Sequence, residues 1–152
     1  MIRKQIKTNR EAQEKLLEGI NLVGDAVGST LGPRSRTVAF DNAPGMDSAP
    51  TILRDGVSVA KAINLEDEFA DMGARLIKSA AIKTVNDVGD GTTLTTIITQ
   101  AIVSEAMQAI AAGANPMKIK AEIESVATTN LALLKEIAKP VKTAEEVTQV
   151  AT

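Results

Sequence analysis

Large aromatic side chains are almost absent from this chain, and this shortage constrains its core more than any other feature. The 152 residues include two Phe and no Trp or Tyr, while 44% are hydrophobic. A core must therefore be built from Ala, Ile, Leu, Val and Met, which suits closely packed helices. The length is enough for one ordered domain with a real hydrophobic core. We expect a mainly α-helical protein.

The amino-terminal segment predicts a short strand followed by a long helix. Ile2 to Lys7 alternates loosely, as a strand does, and Thr8 to Glu11 has the form of a capping box. A helix over roughly 9–28 then has apolar residues at helical spacing. These residues are Ala12, Leu16, Ile20, Val23 and Val27.

A small β element is expected after this helix. The runs 37–40 and 51–53 are β-prone, and the turn-rich segment 42–50 between them is typical of a hairpin connection. One or two helical turns are expected at 56–61. The sequence therefore places a β-hairpin near the amino end of a helical bundle.

Three long helical patterns follow, each with an apolar stripe. The first stripe consists of Phe69, Met72, Leu76, Ile77 and Ala80. The second consists of Leu94, Ile97, Ile98, Ala101, Ile102 and Ile110. The third consists of Ile119, Ile123, Val126, Leu134 and Ile137.

Glycine, proline and polar residues mark where these helices begin and end. Gly113 is expected to end the second long helix, and Asn115 with Pro116 supplies a cap and a first-turn proline for the third. Pro140 is expected to end the third helix. Thr143 to Glu146 is typical of a cap for a last short helix.

Composition excludes several functional classes. The net charge of −2 gives no basic excess for a nucleic-acid strand, so nucleic acid is not an expected partner. With no Cys and no His, disulfides, thiol and imidazole catalysis and the usual zinc ligands are excluded, and oxygen ligands remain for a hard cation such as Mg²⁺. No secretory signal and no run approaching ~20 apolar residues is evident, so we expect a soluble intracellular protein without a membrane partner.

The segment Asp90-Gly91-Thr92-Thr93 lies between two predicted long helices. A helix start offers free N–H groups and a positive dipole end to phosphate oxygens, and Asp90 could hold Mg²⁺ on the same phosphates. The two hydroxyl groups would add contacts. The alternative is simple N-capping by Asp90 or Thr92, and the residues alone leave both interpretations open.

Two further segments are candidates for ligand contact. Asp55, after Arg54 and before Gly56, could order a water near a terminal phosphate or support a cation, or it could simply cap a short helix. The segment from Thr30 to Pro33 follows a helix, where Gly32 permits close backbone approach to a ligand, although a Gly-Pro after a helix is usually only a stop signal. No G-x-x-x-x-G-K-[ST] motif occurs, so any ATP site lacks a Walker loop.

Four motifs taken in order resemble the group I chaperonins, the family of GroEL and its mitochondrial counterparts. They are Thr30 to Val38, Asp55 to Ala60, Gly89 to Thr93 and Ala112 to Met117. The resemblance runs across essentially the whole chain. It implies that residues 1–138 form the amino-terminal half of a helical equatorial, ATP-binding domain, and that 139–152 begin an intermediate domain.

The resemblance also implies site residues, cofactors and partners. The cofactors would be ATP, Mg²⁺ and K⁺, with Asp90 on Mg²⁺ and with Thr30 and Thr93 helping to bind K⁺. Asp55 would lie by the γ-phosphate as a supporting catalytic residue. The nucleotide-binding set would be Thr30, Leu31, Gly32, Pro33, Arg54, Asp55, Gly56, Asp90, Gly91, Thr92, Thr93 and Leu94.

The activity implied for the whole protein is ATP-dependent folding of unfolded client proteins. The subunit would form a homo-oligomeric double ring of heptamers and bind a co-chaperonin. The cytoplasm is the expected compartment, with the mitochondrial matrix as the alternative.

The chain departs from the family pattern at several positions. Arg54 replaces the usual lysine, Leu94 replaces the third threonine of the phosphate motif, and Arg34-Ser35 replaces Lys-Gly. The segment 42–50 is a few residues longer than expected.

Family residues from later in the chain are missing here, including the aspartate that activates water. We therefore expect at most half a nucleotide site, without useful ATP turnover by this chain alone. Two alternatives stay open: a nucleotide-binding module without chaperone action, and a purely structural helical protein whose Gly-Asp-Gly-Thr-Thr is only a cap.

Overall fold

The computed structural model describes residues 6–41 and 49–151. Contacts divide the chain into two compact units, Met1–Ala109 and Ile110–Thr152, which are considered separately below. The predicted fold class, mainly α with a small β-hairpin, is confirmed. In chain order the elements are α1 (Asn9–Gly28), β1 (Val38–Phe40), β2 (Thr51–Leu53), α2 (Gly56–Ala62), α3 (Glu68–Asp87), α4 (Thr92–Ala111), α5 (Pro116–Ile137) and α6 (Ala144–Ala151).

The first unit is organised by a close crossing of α1 and α3 at two glycines. A Cβ added to Gly19 of α1 would overlap the carbonyl oxygen of Ala70, and one added to Gly73 of α3 would overlap the carbonyl oxygen of Leu16. The two helix backbones therefore approach each other with no side chain between them at these points. Dense packing of small aliphatic side chains around the crossing replaces the aromatic bulk that the sequence lacks.

The core extends from this crossing towards α2. The predicted face of α1 is confirmed, because Ile20, Val23 and Val27 are buried. They pack with Val59 and Ile63. The other buried members of the same cluster are Ala60, Ala74 and Ile77.

The predicted stripe of α3 is correct in part, because Ile77 is buried and Phe69 and Ala80 are half-buried, but it is wrong at Met72 and Leu76. Met72 and Leu76 are 47% and 60% exposed, whereas the buried face carries mainly small residues. The close approach of α1 explains the difference, since larger side chains cannot fit between two backbones in contact. That buried face consists of Ala70, Gly73, Ala74, Ile77, Lys78 and Ala81.

Lys78 is an unexpected member of this face. Its side chain is only 9% exposed, and its Nζ donates a hydrogen bond to the carbonyl oxygen of Ile63. Ile63 is the residue at the carboxyl-terminal cap of α2. Burial lowers the pKa of the Lys78 ammonium group because a charged group loses hydration there. Lys78 thus ties the end of α2 to α3.

The predicted β-hairpin is confirmed at both strands. Strands β1 and β2 pair antiparallel with Val38 opposite Leu53 and Phe40 opposite Thr51. Val38, Phe40 and Leu53 pack against the core cluster. Residues 42–48 of the predicted connection over 42–50 lie outside the described residues.

At the start of the chain, the predicted strand is not observed among the described residues, and the predicted helix cap is wrong. Residues 2–5 of the expected strand lie outside the described residues, and Ile6 to Thr8 belong to no helix or strand. The predicted capping box is wrong, because the Thr8 side chain makes no capping hydrogen bond. The Glu11 carboxylate instead accepts a hydrogen bond from Lys7 Nζ at 2.8 Å.

Helix α4, most of which belongs to the first unit, packs there mainly through residues outside the predicted stripe. Thr92 and Thr96 are buried, while Leu94, Ile98 and Ile102 of the predicted stripe are exposed. Gln100 lies against Gly24, where a Cβ would collide with it, and its amide donates to the Asp25 carboxylate at 2.8 Å.

The error on α4 has a clear cause in its composition. Val103 packs against the core while Leu94, Ile98 and Ile102 of the predicted stripe are exposed, so the helix is apolar on two sides. Among the described residues, α4 is also the one helix whose length and hydropathy would allow it to span a membrane. Five threonines interrupt its apolar residues, and for this reason the sequence predicted no span of this kind. A single helix of this kind is weak support for a membrane span.

The second unit contains two capped helices, as predicted. The Asn115 side chain accepts a hydrogen bond from the Met117 amide, and Pro116 begins α5. The capping box of α6 is formed, since Thr143 Oγ1 accepts from the Glu146 amide at 3.2 Å while Glu146 accepts from the Thr143 amide at 3.0 Å.

The apolar residues of α5 are largely exposed. Val126, Leu131, Leu134 and Ile137 are each more than half exposed, and no described residue of this helix is buried. The predicted domain boundary at residues 138 and 139 falls just after α5 and stays a prediction.

Replacing Gly73 with Ala should destabilise the first unit strongly. The added methyl group would push against the Leu16 backbone, which has no side-chain freedom to move aside, so we expect a cost at the upper end of the range for overpacking, about 2–3 kcal/mol, offset in part by about 1 kcal/mol of helix propensity. We expect a net loss of roughly 1–2 kcal/mol in the free energy of unfolding, measured by urea denaturation.

Gly28→Ala is the matched control. A Cβ at Gly28 would lie 3.6 Å from Ile97 Cγ1, an ordinary contact. Its stability should stay within about 1 kcal/mol of the original chain. Equal stability of the two variants would contradict the proposed backbone contact.

Candidate functional site

Two of the segments singled out in the sequence meet at Gly56, the first residue of α2, beside Val27 near the end of α1. A Cβ built on Gly56 would collide with Thr93 Oγ1 and would lie 3.2 Å from Val27 Cγ1. Gly56 therefore brings the start of α2 against the start of α4 and the end of α1. A side chain at this position would have to displace the Thr93 side chain.

The loop after α1 holds Thr30 to Pro33 at the same end of the helix. Thr30 Oγ1 donates to the Val27 carbonyl at 2.7 Å. The Arg36 amide donates to the Ser29 carbonyl at 2.9 Å and so closes the loop. Gly32 adopts a left-handed conformation with φ of +86°, which favours glycine.

The outer residues of this loop face solvent. Leu31, Gly32 and Pro33 are exposed, as are the neighbouring Arg34 and Arg36. They are available to a ligand, but they form no enclosed pocket by themselves.

The turn between α3 and α4 carries Asp90. Gly89 and Gly91 on either side have φ of +88° and +81°, and no atom lies within 4 Å of a Cβ built on either. Asp90 is exposed, and its carboxylate accepts a hydrogen bond from the Gly91 amide at 2.6 Å. An open turn of this kind lets a ligand approach the backbone without meeting side chains.

The first turn of α4 offers amide groups to an anion. The first helical hydrogen bond runs from the Thr95 amide to the Gly91 carbonyl at 2.9 Å. The amides of Thr92, Thr93 and Leu94 therefore have no partner within the helix, and the positive end of the helix dipole adds to their attraction for phosphate.

The three side chains of that first turn differ in their exposure. Thr92 is buried, Thr93 is half-buried against Gly56, and Leu94 is 53% exposed. The predicted phosphate cradle therefore consists mainly of backbone amides, with Thr93 the threonine that borders the junction.

Asp55 is the N-cap of α2. Its carboxylate accepts hydrogen bonds from the Ser58 amide at 3.0 Å and from the Ser58 hydroxyl at 2.9 Å. These bonds, chiefly the one from the Ser58 backbone, lower the pKa of Asp55 below its ordinary value of 3.8. A carboxylate with a lowered pKa is a weak base, so near a phosphate it could orient water or a cation rather than remove a proton.

The two proposed interpretations of Asp55 are thus compatible. The residue caps a helix, as the simpler interpretation requires, and it precedes the residue at which the three helices meet. Ser58 was not singled out from the sequence, although its position three residues after Asp55 is the usual spacing of a cap.

The residues present fit a nucleotide-bound Mg²⁺ ion and a monovalent cation in part. Mg²⁺ on a nucleotide usually takes one or two carboxylates together with phosphates and water, and exposed Asp90 can supply one. No cluster of three or more Asp or Glu residues that could hold an ion by itself occurs in 6–41 or 49–151. The Thr30 hydroxyl bonds to the Val27 carbonyl, and Thr93 borders Gly56, which also lies beside Val27.

Arg54 is exposed at the end of β2 and makes no ion pair with the residues that the structure describes. It therefore remains a cation available to an anionic ligand beside the junction. Its charge is delocalised over a planar group, unlike that of lysine.

Comparison with known proteins decides the family. A model of the TCP-1/cpn60 chaperonin family matches residues 23–152. The chain belongs to this chaperonin family. The matched region contains every candidate site residue named above.

Solved chaperonin structures share the fold. A group III chaperonin in the open state superposes with a TM-score of 0.75 at 23% identity, over 86% of this chain and 25% of the other. The chaperonin gp146 from the Pseudomonas aeruginosa bacteriophage EL, crystallised in the presence of ATP-BeFx, gives 0.72 at 28% identity over 88% of this chain and 22% of its own. A second crystal form of gp146 gives 0.54 at 35% identity over 62% of this chain and 16% of its own. This chaperonin chain thus spans about a quarter of the length of the structures it matches.

The Asp55 cap should make a measurable, pH-dependent contribution to stability. At pH 7, Asp55→Ala should lower the free energy of unfolding by about 1 kcal/mol, whereas Asp55→Ser should keep part of the cap. The folded-state pKa is lowered, so the carboxylate stabilises the fold above its ordinary pKa, and this contribution is lost as pH falls through the folded-state value.

The stability difference between the original chain and Asp55→Ser should therefore narrow below about pH 4. Urea denaturation of both proteins at pH 7 and at about pH 3 measures this difference in the free energy of unfolding. The contributions of the other carboxylates are the same in both proteins and cancel. A difference that is the same at both pH values would contradict the assignment.

Proposed function

We propose that this chain is the nucleotide-binding part of an ATP-dependent protein-folding chaperonin subunit. The observation that carries the proposal is the junction at Gly56, where the motifs at the start of α2 and the start of α4 come together beside the end of α1, which leads into the Thr30 motif. A junction of this kind lets one ligand contact the loop after α1, the start of α2 and the start of α4 together. The presence of ATP-BeFx in the gp146 crystals supports a nucleotide as that ligand.

Each segment would contribute a different interaction with ATP. The free amides at the start of α4 would bind phosphate oxygens, and the open turn at Gly89 and Gly91 would let them approach the backbone. Exposed Arg54 would balance phosphate charge. The loop from Thr30 to Pro33 would contact the remainder of the nucleotide.

Bound Mg²⁺ would neutralise phosphate charge, and K⁺ would do the same beside it. Asp90 would hold Mg²⁺ through its carboxylate, while the hydroxyl oxygens of Thr30 and Thr93 would contribute to K⁺ binding. Asp55, ionised over the physiological pH range, would orient water beside the terminal phosphate. We propose that this chain alone binds ATP without useful turnover.

The whole protein would act as a ring chaperone. We propose a homo-oligomeric double ring that folds unfolded client proteins with a co-chaperonin, and assignment to group I on the order of the four sequence motifs. The exposed apolar residues of α4 and α5 support function within a larger assembly, since exposed apolar patches commonly mark contact surfaces. The cytoplasm, with the mitochondrial matrix as the alternative, stays a prediction.

ATP binding to this chain is the direct test. Calorimetry with Mg²⁺ and K⁺ should detect ATP binding to the original chain, and Asp90→Ala should weaken it by at least about tenfold, since an interaction between charged groups is worth about 1.5–3 kcal/mol. Chelation of Mg²⁺ should reduce the affinity of the original chain far more than that of Asp90→Ala.

Asp87→Ala is the matched control, because Asp87 is also exposed and lies three residues earlier, at the end of α3. Its ATP affinity should equal that of the original chain. If a folded original chain binds no ATP, or if Asp87→Ala loses as much affinity as Asp90→Ala, the proposed site is wrong.

A further inference from the structure

Two threonines close the base of the turn that carries Asp90. The Thr84 carbonyl accepts from the Val88 amide at 2.9 Å, and the Thr95 amide donates to the Gly91 carbonyl at 2.9 Å. The hydroxyl oxygens of Thr84 and Thr95 lie 3.1 Å apart, within hydrogen-bonding distance. The first residue of the turn, Val88, is therefore bonded to the backbone of Thr84, and the last residue, Gly91, to the backbone of Thr95. The side chains of these two threonines are hydrogen-bonded to each other.

The hydroxyl groups form a chain that links α4 to α3. Thr84 Oγ1 also lies 3.0 Å from the carbonyl oxygen of Ala80. A hydroxyl group has one hydrogen, so when Thr84 donates to Ala80 it accepts from Thr95. Both side chains are half-buried, which reduces competition from water.

Packing contributes little to the shape of the turn itself. Val88 is 77% exposed, Asp90 is exposed, and space is open around Gly89 and Gly91. Two glycines in a four-residue turn also leave the backbone many alternative conformations. The geometry of the turn must therefore depend on how its base is held.

We propose that Thr84 and Thr95 are positioning residues for the phosphate-facing turn. Their hydroxyl pair holds the last turns of α3 and the first turn of α4 together, and this sets the position of Asp90 relative to the free amides of α4. Neither hydroxyl contacts the ligand. The effect on ATP affinity rests on the proposed function, whereas the effect on the turn does not.

The test uses the full chain with matched substitutions. Thr84→Val keeps the shape and removes the hydroxyl, Thr84→Ser keeps the hydroxyl, and Thr99→Val makes the same chemical change farther along α4. Hydrogen exchange of the Val88 and Thr95 amides without ligand reports the turn, and calorimetry with ATP and Mg²⁺ reports the site.

Loss of one hydrogen bond predicts that Thr84→Val accelerates exchange at these amides by about three- to tenfold and weakens ATP binding by a similar factor. Thr84→Ser should restore both values, and Thr99→Val should change neither. Adding Thr95→Val to Thr84→Val should have little further effect, because the two hydroxyls act as one unit.

Unchanged exchange and affinity in Thr84→Val would overturn the inference, as would acceleration spread evenly over all helices. If the original chain binds no ATP, the proposed function and the affinity part fail together. Faster exchange confined to the turn in Thr84→Val would then still support the positioning role.

Discussion

The contact of two backbones at Gly19 and Gly73 is the constraint on which the first unit depends. With almost no aromatic residues, the chain cannot fill a wide space between helices. Instead α1 and α3 pack with their backbones in contact at the two glycines. The consequence extends along α1, because Ile20, Val23 and Val27 are brought into one core cluster with Ala74 and Ile77 of α3. Helix α2 packs into the same cluster through Val59 and Ile63.

The geometry of the candidate site depends on the packing of that core. Val27 is both a fully buried core residue and a neighbour of Gly56, so the junction of three helix ends is an extension of the hydrophobic packing. Asp55, by capping α2, gives the first turn of this short helix a fixed start. A chaperonin nucleotide site on this chain would therefore be supported by packing at its centre and would be open at its outer loops.

The positions of the helices were largely predictable from local signals. Three local signals each marked a helix boundary that the structure confirms. They are Asn115 with Pro116, Gly113, and the capping box from Thr143 to Glu146. These signals act within one helical turn and do not require knowledge of the rest of the fold.

Helix faces were predicted less well, because burial depends on the partner helix. The stripe through Met72 and Leu76 had suitable spacing, yet α1 approaches the side of α3 that carries Ala70 and Gly73. On α4, apolar residues lie on two sides, so periodicity could not distinguish the face with Val103 from the face with Ile98. The same limit applies to the site: the motif residues were identifiable, but contact of Gly56 with Thr93 is a long-range property. The roles of these residues in binding remain predictions.

The reactivity of the buried Lys78 amine would report on local opening between α2 and α3. Its nitrogen is held by the Ile63 carbonyl and is shielded from solvent, while its lowered pKa increases the fraction of reactive, uncharged amine. Acylating reagents would modify this side chain only when the end of α2 separates from α3. The rate of its acylation would therefore measure how often the helix that begins at Asp55 and Gly56 detaches from its support.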